Sequence, residues 1–384
     1  MAQQLYFSRD SKMFLEFDSF VWEIPVLDGF SFSQATNSSE ITLNEMESSA
    51  GVSRRGRRAF NDSLAPGEWS FSTYVRPYTA AGASQGTGSA DAAAEVHAVE
   101  EVLWALMAGA NNYSSSKYDK GGTDVLVPGG SSMTVNFDSS NVAQLSTFNL
   151  YFVLGDANRT VMKLDGCVVG EASLDFDIDG IATITWSGFA SMISDHEVSG
   201  SPALPTITTD IQEGVTTTSN FIRNRLTQLA VTAADTTTFP GTGSGVYDLV
   251  LTGGNITIDN GMTYLTPETL GVVNQPLGHV TGTRSVSGNF TCYLNREAGS
   301  SADLFEQLIE ANTVITNSFA CSFKIGGTSA PKVLIELPKC HFEVPSHSIE
   351  DIISLETNFH ALPASIDPDS TANNYEAKIT YTGG

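Results

Sequence analysis

The chain has 384 residues, 41% of them hydrophobic, which is enough for about two domains with real cores and excludes a largely disordered protein. Its 19 Lys and Arg residues against 43 Asp and Glu residues give a net charge of −24, an acidic balance that repels phosphates and disfavours tight binding of nucleic acid. No apolar run approaches the roughly 20 residues that span a bilayer, and the N-terminus lacks a basic segment followed by an apolar core, so we expect neither a secretory signal nor a membrane partner.

The first half of the chain contains a series of predicted strands and one predicted helix. In chain order its segments are FVWEIPVLDGFSFS from Phe20, GEWSFSTYVRP from Gly67, the helix EVLWALMAG from Glu101, STFNLYFVLG from Ser146, VMKLDGC from Val161 and GIATITWS from Gly180. The strands alternate apolar and polar residues, and the helix places its apolar residues at helical spacing.

The second half repeats this series in the same order. Its segments are GVYDLVLTGGNITI from Gly245, SGNFTCYLNRE from Ser287, the helix DLFEQLIEA from Asp303, NSFACSFKIG from Asn317, LIELPKC from Leu334 and DIISLETN from Asp351. Phe71 and Tyr74 match Phe290 and Tyr293 at one offset of 219 residues, and each half carries a net charge of −12. The sequence therefore predicts a tandem duplication.

Residues 196–220 are rich in Ser, Thr, Pro and Gly and are predicted to be a linker. We expect a first domain over residues 1–195, with inserted loops at 79–92 and 109–132, and a second domain over residues 221–384. The fold class is mainly β: each domain is a β-sandwich or partly closed barrel with one flanking α-helix.

The motif DFDIDG places Asp175, Asp177 and Asp179 before a glycine, as at the start of a calcium-binding EF-hand loop. The twelfth position of such a loop supplies a bidentate Glu, but here it is Trp186. We favour a strand that carries the three carboxylates on one face and apolar residues on the other.

No catalytic or cofactor-binding motif is supported by its sequence context. The pattern G-x-S-x-G occurs once as GASQG, residues 82–86, but it lies within a predicted loop and not between a strand and a helix. The chain has no phosphate-binding loop and no zinc-protease motif, and its four cysteines lack zinc-ligand spacing. We therefore predict a protein that is not an enzyme and has no cofactor, with buried free thiols. The four tryptophans lie in apolar patterns and are predicted to be core residues: Trp22, Trp69, Trp104 and Trp186.

The segment SRRGRR, residues 53–58, is a basic cluster in an acidic chain. A nucleic-acid-binding arm and a solvated loop are two interpretations of it. A third, which we favour, is a contact with an acidic surface of a neighbouring copy. Its candidate contact residues are Arg54, Arg55, Arg57 and Arg58.

The second half resembles the tail tube proteins of tailed phages, especially in NGMTYLTPETLGVVNQPLGHVTGTRSVSGNFTCYLN and LPKCHFEVPSHSIEDIISLETNFHAL, and the repeat extends this resemblance to the first half. The resemblance implies domains that form rings, and rings that stack into a hollow tube through which DNA leaves the capsid. Because this chain fuses two domains, a homotrimer would imitate a six-domain ring.

The resemblance also implies a place in the tail of the virion after assembly in the cytoplasm of a bacterial host. The implied partners are other copies of the chain, the tape measure, the tail terminator, the baseplate and, where a tail has one, the sheath. DNA would pass through the lumen without specific binding. The alternatives are a baseplate hub protein with two tube-like domains and a two-domain β-sandwich adhesin or carbohydrate-binding protein.

Acidic residues of the two halves are candidates for the lining of the channel, where a negative wall would repel phosphates. The alternative is that these acids face outwards and serve solubility only. The candidates are Asp175, Asp177, Asp179, Glu350, Asp351 and Glu356.

Overall fold

The computed structural model describes residues 5–27, 29–42, 57–79, 95–114, 117–138, 145–156, 158–206, 220–311, 318–348, 352–363 and 375–383. These residues are mostly β-strand, with two short α-helices, as the sequence predicted. Neither helix is long enough or apolar enough to span a membrane, within the part of the chain that is described.

The described residues of the first half form sixteen strands, one helix and a 3₁₀ turn at Ser8–Asp10. They are β1 (Lys12–Phe17), β2 (Phe20–Ile24), β3 (Ser31–Thr42), β4 (Arg57–Tyr74), β5 (Pro77–Thr79), β6 (Val96–Ala98), α1 (Glu101–Ala108), β7 (Asn112–Ser114), β8 (Lys117–Lys120), β9 (Thr123–Val127), β10 (Met133–Asp138), β11 (Phe148–Leu154), β12 (Thr160–Asp177), β13 (Thr183–Ala190), β14 (Met192–Asp195), β15 (Glu197–Val198) and β16 (Ser201–Pro202).

In the part of the second half that the structure describes there are eleven strands, one helix and a 3₁₀ turn at Asn224–Leu226. They are β17 (Gln228–Ala233), β18 (Val246–Leu249), β19 (Leu251–Asp259), β20 (Met262–Leu265), β21 (Gly278–Thr281), β22 (Ser285–Tyr293), α2 (Ser301–Glu310), β23 (Phe319–Ile325), β24 (Lys332–Phe342), β25 (Ser346–Ser348), β26 (Ser354–Leu362) and β27 (Tyr375–Thr382).

The two halves share one pattern of antiparallel pairing. In the first half β1 pairs with β2 and β11, β11 with β12, β12 with β13, β13 with β4, and β4 with β3. In the second half β17 pairs with β18 and β23, β23 with β24, β24 with β26, β26 with β22, and β22 with β19. The registers also agree, because Trp186 faces Phe71 and its counterpart Thr357 faces Phe290. The sequence repeat is thus a repeat of strand pairing.

One sheet runs through both halves in the order β3-β4-β13-β12-β19-β22-β26-β25. We call it the joint sheet. Its middle is the pairing of β12 with β19, which joins the halves from Glu171 opposite Asp259 to Asp177 opposite Gly253. The joint sheet therefore does not stop at the boundary between the halves.

A second layer of strands packs on one face of the joint sheet. It contains β1, β2 and β11 in the first half and β17, β18 and β23 in the second, while the long strands β12 and β24 contribute to both layers. The largest apolar cluster lies between the layers and includes residues of both halves. The ring of Phe176, for example, lies 5.8 Å from that of Phe323. Helix α1 is buried along its whole length.

The segment 109–132, which we expected to be a loop, contains β7, β8 and β9. Tyr113 and Tyr118 of this segment are buried and lie 5.1 and 6.4 Å from the ring of Trp22. Strand β9 pairs with β10, and β10 pairs with β27, which also pairs with β24. The largely polar sequence hides these strands, because their partners are distant in the chain. Most of the other expected loop, 79–92, lies outside the described residues.

Arg284 ties the halves together at a second place. Its side chain is 5% exposed and donates hydrogen bonds to Asn260 Oδ1 (2.9 Å) and to the backbone oxygens of Met107 (3.3 Å) and Asp138 (3.3 Å). Met107 lies in the last turn of α1, where carbonyl groups have no partner within the helix, and its oxygen also accepts a hydrogen bond of 3.2 Å from Asn260 Nδ2. A guanidinium from the second half thus binds the end of the first half's helix.

Candidate functional site: a polar sheet face with two free edges

The face of the joint sheet that points away from the core is polar across both halves. Residues directly opposite one another in an antiparallel sheet share a face, so the register defines rows across the strands. These rows consist largely of small polar side chains. Three of them are Asp175, Asn255, Asn289 and Asn358; Asp177, Gly253, Thr291 and Glu356; and Ser173, Thr257, Ser287 and His360.

The joint sheet brings together three of the acids that the sequence singled out. Asp175 and Asp177 are exposed on β12, and Glu356 is exposed on β26 in the row of Asp177. Asp179 departs from the predicted stripe, because β12 ends at Asp177 and Gly180 has a left-handed φ of 110°. Asp179 lies in this turn and forms an exposed ion pair of 3.7 Å with Arg225. Glu350 and Asp351 lie outside the described residues.

Two acids on this face were missed by the sequence analysis. Glu171 on β12 and Asp259 on β19 face each other across the junction of the halves. Partial burial raises the pKa of Glu171 above its ordinary value, and the negative charge of Asp259 raises it further. Glu171 could have been found, since it continues the alternation of Asp175 and Asp177. Asp259 depends on a register between distant strands and could not.

A shallow depression of about 680 Å³ opens on the same face beside this pair. Glu68, Phe189 and Met262 contribute to its walls along with Glu171 and Asp259. Within the described residues, no group of three or more His, Cys, Asp and Glu side chains is arranged to hold a metal ion. The face therefore offers a field of negative charge spread over several strands.

The opposite face of the joint sheet is part of the core. Phe71, Trp186 and Phe290 are each at most 2% exposed. All four tryptophans are buried as predicted, including Trp22, Trp69 and Trp104. The four cysteines are buried and form no disulfide. An adhesin that binds sugars on exposed tryptophans is not favoured by this arrangement.

The joint sheet ends in two edges without a strand partner among the described residues. Strand β3 pairs only with β4, and β25 pairs only with β26. By the shared pairing pattern, β3 corresponds to β19, and the segment from the end of β24 through β25 corresponds to the second half of β12. Strands β12 and β19 are the two that pair with each other at the junction inside the chain. An unpaired edge is an assembly surface unless it is blocked.

The two described residues of the arginine cluster, Arg57 and Arg58, are the first residues of β4 in its hairpin with β3. Arg57 donates hydrogen bonds from Nε and one terminal nitrogen to the two carboxylate oxygens of Glu40, at 2.5 and 2.7 Å. Arg58 is exposed and lies opposite Ile41. Arg54 and Arg55 lie outside the described residues. Of the two described arginines, Arg57 is thus engaged within its own hairpin.

A long polar sheet face with two open edges is typical of a structural protein that assembles through its edges. Comparison with known proteins identifies the class: residues 67–361 match the family model of the phage tail tube protein. The chain is also 30% identical over 366 residues to the tail tube protein pb6 of Escherichia phage T5, a match that covers 94% of this chain and 72% of that protein. The chain belongs to the phage tail tube protein family.

Proposed function

We propose that three copies of this chain close into a ring, and that stacked rings form the tail tube through which DNA is ejected. The observation that carries this proposal is the pairing of β12 with β19 inside the chain. The same two kinds of strand edge are left open at β25 and β3. Pairing them between copies repeats the internal junction, so that three copies make six equivalent junctions and leave no edge open.

The internal junction also defines the register of the proposed one. Cys340 occupies the place of Cys167, which makes Ser346 the counterpart of Ser173. Phe32 faces Trp69 of β4, and Ile256 faces Gly288 of β22, which lies 219 residues after Trp69. Ile256 is therefore the counterpart of Phe32, and Thr257 is the counterpart of Ser33. Since Ser173 faces Thr257, with their hydroxyl oxygens 3.2 Å apart, Ser346 is expected to face Ser33 of the next copy.

The joint sheet has a size that suits a channel for DNA. Three sheets of eight strands give 24 strands, and a spacing of about 4.8 Å between strands gives a circumference of about 115 Å. The corresponding diameter is about 37 Å between backbones, and strand tilt would widen it. The side chains in the described rows are mostly small, so the barrel would leave room for a double helix.

The polar face of the joint sheet is the one we assign to the lumen. The other face carries the second layer of strands and helix α1. A closed ring needs its bulkier layer at the larger radius, because circumference grows with radius. Asp175, Asp177 and Glu356 would then line the channel, with Glu171 and Asp259 beside them. These carboxylates would repel DNA phosphates near the wall, within a Debye length of about 8 Å.

The remaining features of the proposal follow from this tube. The halves act as two tube domains, 1–195 and 221–384, joined by residues 196–220. Asp179, Glu350 and Asp351 would add to the negative lumen. The protein is not an enzyme and would act in the virion tail with the tape measure, terminator and baseplate proteins, after assembly in the host cytoplasm. The comparisons do not favour a baseplate hub or an adhesin.

The proposal is tested by a disulfide across the expected junction between copies. In the variant Ser33→Cys with Ser346→Cys, oxidation should link copies only after assembly, and the products should end at a trimer, since directly opposed strand residues lie within disulfide reach. The matched control is Ser173→Cys with Thr257→Cys, which should form its bond within a single chain. Native mass spectrometry of a ring should give three chains of 40.9 kDa. Six chains in a ring, or no linkage in assembled tubes, would contradict the proposal.

The arginine cluster gives a separate prediction about assembly. Replacing Arg54, Arg55, Arg57 and Arg58 together by Ser should slow polymerisation and leave the melting temperature of the monomer nearly unchanged. Exposed ion pairs contribute only about 0–1 kcal/mol each, so the effect should need the whole cluster. Light scattering during assembly measures it, with Arg57→Ser alone as the control for the pair with Glu40. Polymerisation at the wild-type rate would leave the cluster as solvated surface.

A further inference from the structure

The N-terminal segment, residues 5–10, is the structural counterpart of residues 221–226, which join the linker to the second half. Leu15 faces Trp22 and Leu150 on its two neighbouring strands, and Val231 faces the counterparts of these residues, Tyr247 and Cys321. Leu15 and Val231 are therefore counterparts. The same offset superimposes the two 3₁₀ turns, Ser8–Asp10 and Asn224–Leu226.

The two segments also rest on their own halves in the same way. The ring of Tyr6 lies against Gly155, and the side chain of Ile222 lies against Gly326. Tyr6 and Ile222 are counterparts, and so are the two glycines. The N-terminal segment is therefore already folded into the conformation of its counterpart.

The counterpart segment covers the tip of the first half. The amide of Ala182 donates a hydrogen bond of 2.9 Å to the carbonyl oxygen of Ile222, and Ile181 forms an antiparallel bridge with Arg223. The ring of Phe221 packs edge-on against Tyr74, with 5.1 Å between ring centroids. Ile222 and Ala182 are at most 1% exposed as a result.

The same tip exists in the second half, where no described segment covers it. The amide of Leu294 donates to the carbonyl oxygen of Ile353 at 2.9 Å, as the amide of Val75 does to that of Ala182. Three apolar side chains are exposed there: Tyr293 by 42%, Ile352 by 60% and Ile353 by 37%. Tyr293 is the counterpart of Tyr74, and Ile353 is the counterpart of Ala182.

The N-terminal segment is correspondingly uncovered. Leu5, Tyr6 and Phe7 are 68%, 54% and 53% exposed. Among the described residues, Arg9 lies over the ring of Phe7 at 5.0 Å and Tyr6 bonds Thr160 through its hydroxyl, but no apolar segment covers either surface. The chain thus has two exposed apolar surfaces, one on the segment and one on the tip. Residues 5–7 do not reach the tip of their own chain's second half. Their counterparts, residues 221–223, cover the tip of the half that precedes their own in the joint sheet, and the half that precedes the first half would belong to another copy.

We propose that residues 5–7 of one copy dock on Tyr293, Ile352 and Ile353 of the preceding copy in the ring. The proposal rests on the ring of the proposed function and adds a second contact to its junction. The carbonyl oxygen of Tyr6 accepts the amide hydrogen of the neighbour's Ile353, and Phe7 lies opposite the neighbour's Ile352. The side chain of Leu5 packs on the neighbour's Tyr293, in the place of Phe221 on Tyr74.

A second disulfide pair tests this contact. In the variant Phe7→Cys with Ile352→Cys, oxidation should link copies in assembled tubes and the products should end at a trimer. The matched control, Ile181→Cys with Arg223→Cys, reproduces the observed bridge and should link within one chain before and after assembly. The native cysteines are buried, which keeps background linkage low. Products larger than a trimer would place the contact between stacked rings and overturn the proposal.

Hydrogen exchange of the unaltered chain gives a test that needs no substitution. Exchange in a peptide that covers Ile352 and Ile353 should slow by roughly tenfold or more when monomers assemble, because the Ile353 amide then donates to the carbonyl oxygen of the neighbour's Tyr6. Exchange in a peptide that covers Ala182 should change little, because its hydrogen bond to Ile222 exists already in the monomer. Equal exchange of the peptide with Ile352 and Ile353 in monomers and tubes would overturn the docking. If Ser33→Cys with Ser346→Cys still links to trimers in that case, the ring of the proposed function stands without it.

Discussion

Particles whose tubes carry Asp175→Lys, Asp177→Lys and Glu356→Lys are expected to build tails of normal length but to lose infectivity by roughly a hundredfold or more. The three positions lie on the exposed face of β12 and β26, and their replacement moves the charge of each chain from −24 to −18. If this face lines the lumen, a wall that repelled phosphates becomes one that binds them, and the moving DNA is held.

The matched control makes the same change of charge away from the joint sheet. Asp156, Glu306 and Glu310 are exposed acids in a turn after β11 and on helix α2. Their replacement by Lys should leave infectivity within a few-fold of wild type. Tail length is measured by electron microscopy and infectivity by titre. Equal titres for the two triple variants would place the acids of β12 and β26 outside the lumen, even if the tube itself forms.

The variant Glu100→Gln is expected to be more stable than the wild-type chain at pH 8 by up to about 3 kcal/mol. Glu100 is fully buried at the start of α1, where it accepts a hydrogen bond of 2.8 Å from the hydroxyl of Tyr381 on the C-terminal strand. Trp104 Nε1 in turn donates to the Tyr381 oxygen at 2.7 Å. Burial raises the pKa of Glu100 to about 7, although the bond from Tyr381 and the charge of Arg76 oppose the rise.

The sign of the pH dependence follows from this pKa. The folded chain holds the Glu100 proton more tightly than the unfolded chain, whose carboxyl has a pKa near 4.5. The free energy of unfolding therefore falls as the pH rises from about 4.5 through 7, since the carboxylate must then be buried with its charge. Gln keeps an oxygen for the hydroxyl of Tyr381 but has no charge.

Urea unfolding at pH 4.5 and pH 8 measures the effect. Glu100→Gln should match the wild type at pH 4.5 and exceed it at pH 8. The control Glu310→Gln changes an exposed acid and should differ from the wild type by less than about 0.5 kcal/mol at both values. A Glu100→Gln chain that is no more stable at pH 8 would show that the buried carboxylate is well compensated by Arg76.

Both predictions depend on contacts between halves that are far apart in the chain. Tyr381 closes a bond to a helix that lies 281 residues earlier, and Glu356 lies in a row with Asp177 of the other half. The duplication brings the halves together because the β12 edge of the first half pairs with the β19 edge of the second. We expect the same complementarity to operate between copies.

The sequence by itself determined the two helices, the repeat and the strands within the repeated segments. Alternation of apolar and polar residues is a local property, so it predicted the buried face of β13 with Trp186 and that of β22 with Phe290. Helical spacing likewise predicted α1 and α2. The exposed positions of Asp175 and Asp177 followed from the same alternation, because their neighbours Leu174 and Phe176 are buried.

Only the tertiary structure decided how these elements meet. The pairing of β12 with β19, which sets Glu171 against Asp259, is a choice among many edges that a periodic sequence leaves equally available. The strands of the segment 109–132 form because Tyr113 and Tyr118 find Trp22, and Asp179 leaves the stripe because the backbone turns at Gly180. Leu5–Asp10 and Phe221–Leu226 occupy equivalent positions in the two halves, but their residue types differ, so the sequence alone does not reveal that they are counterparts. Such contacts depend on which distant surfaces are complementary, and local patterns carry no record of that.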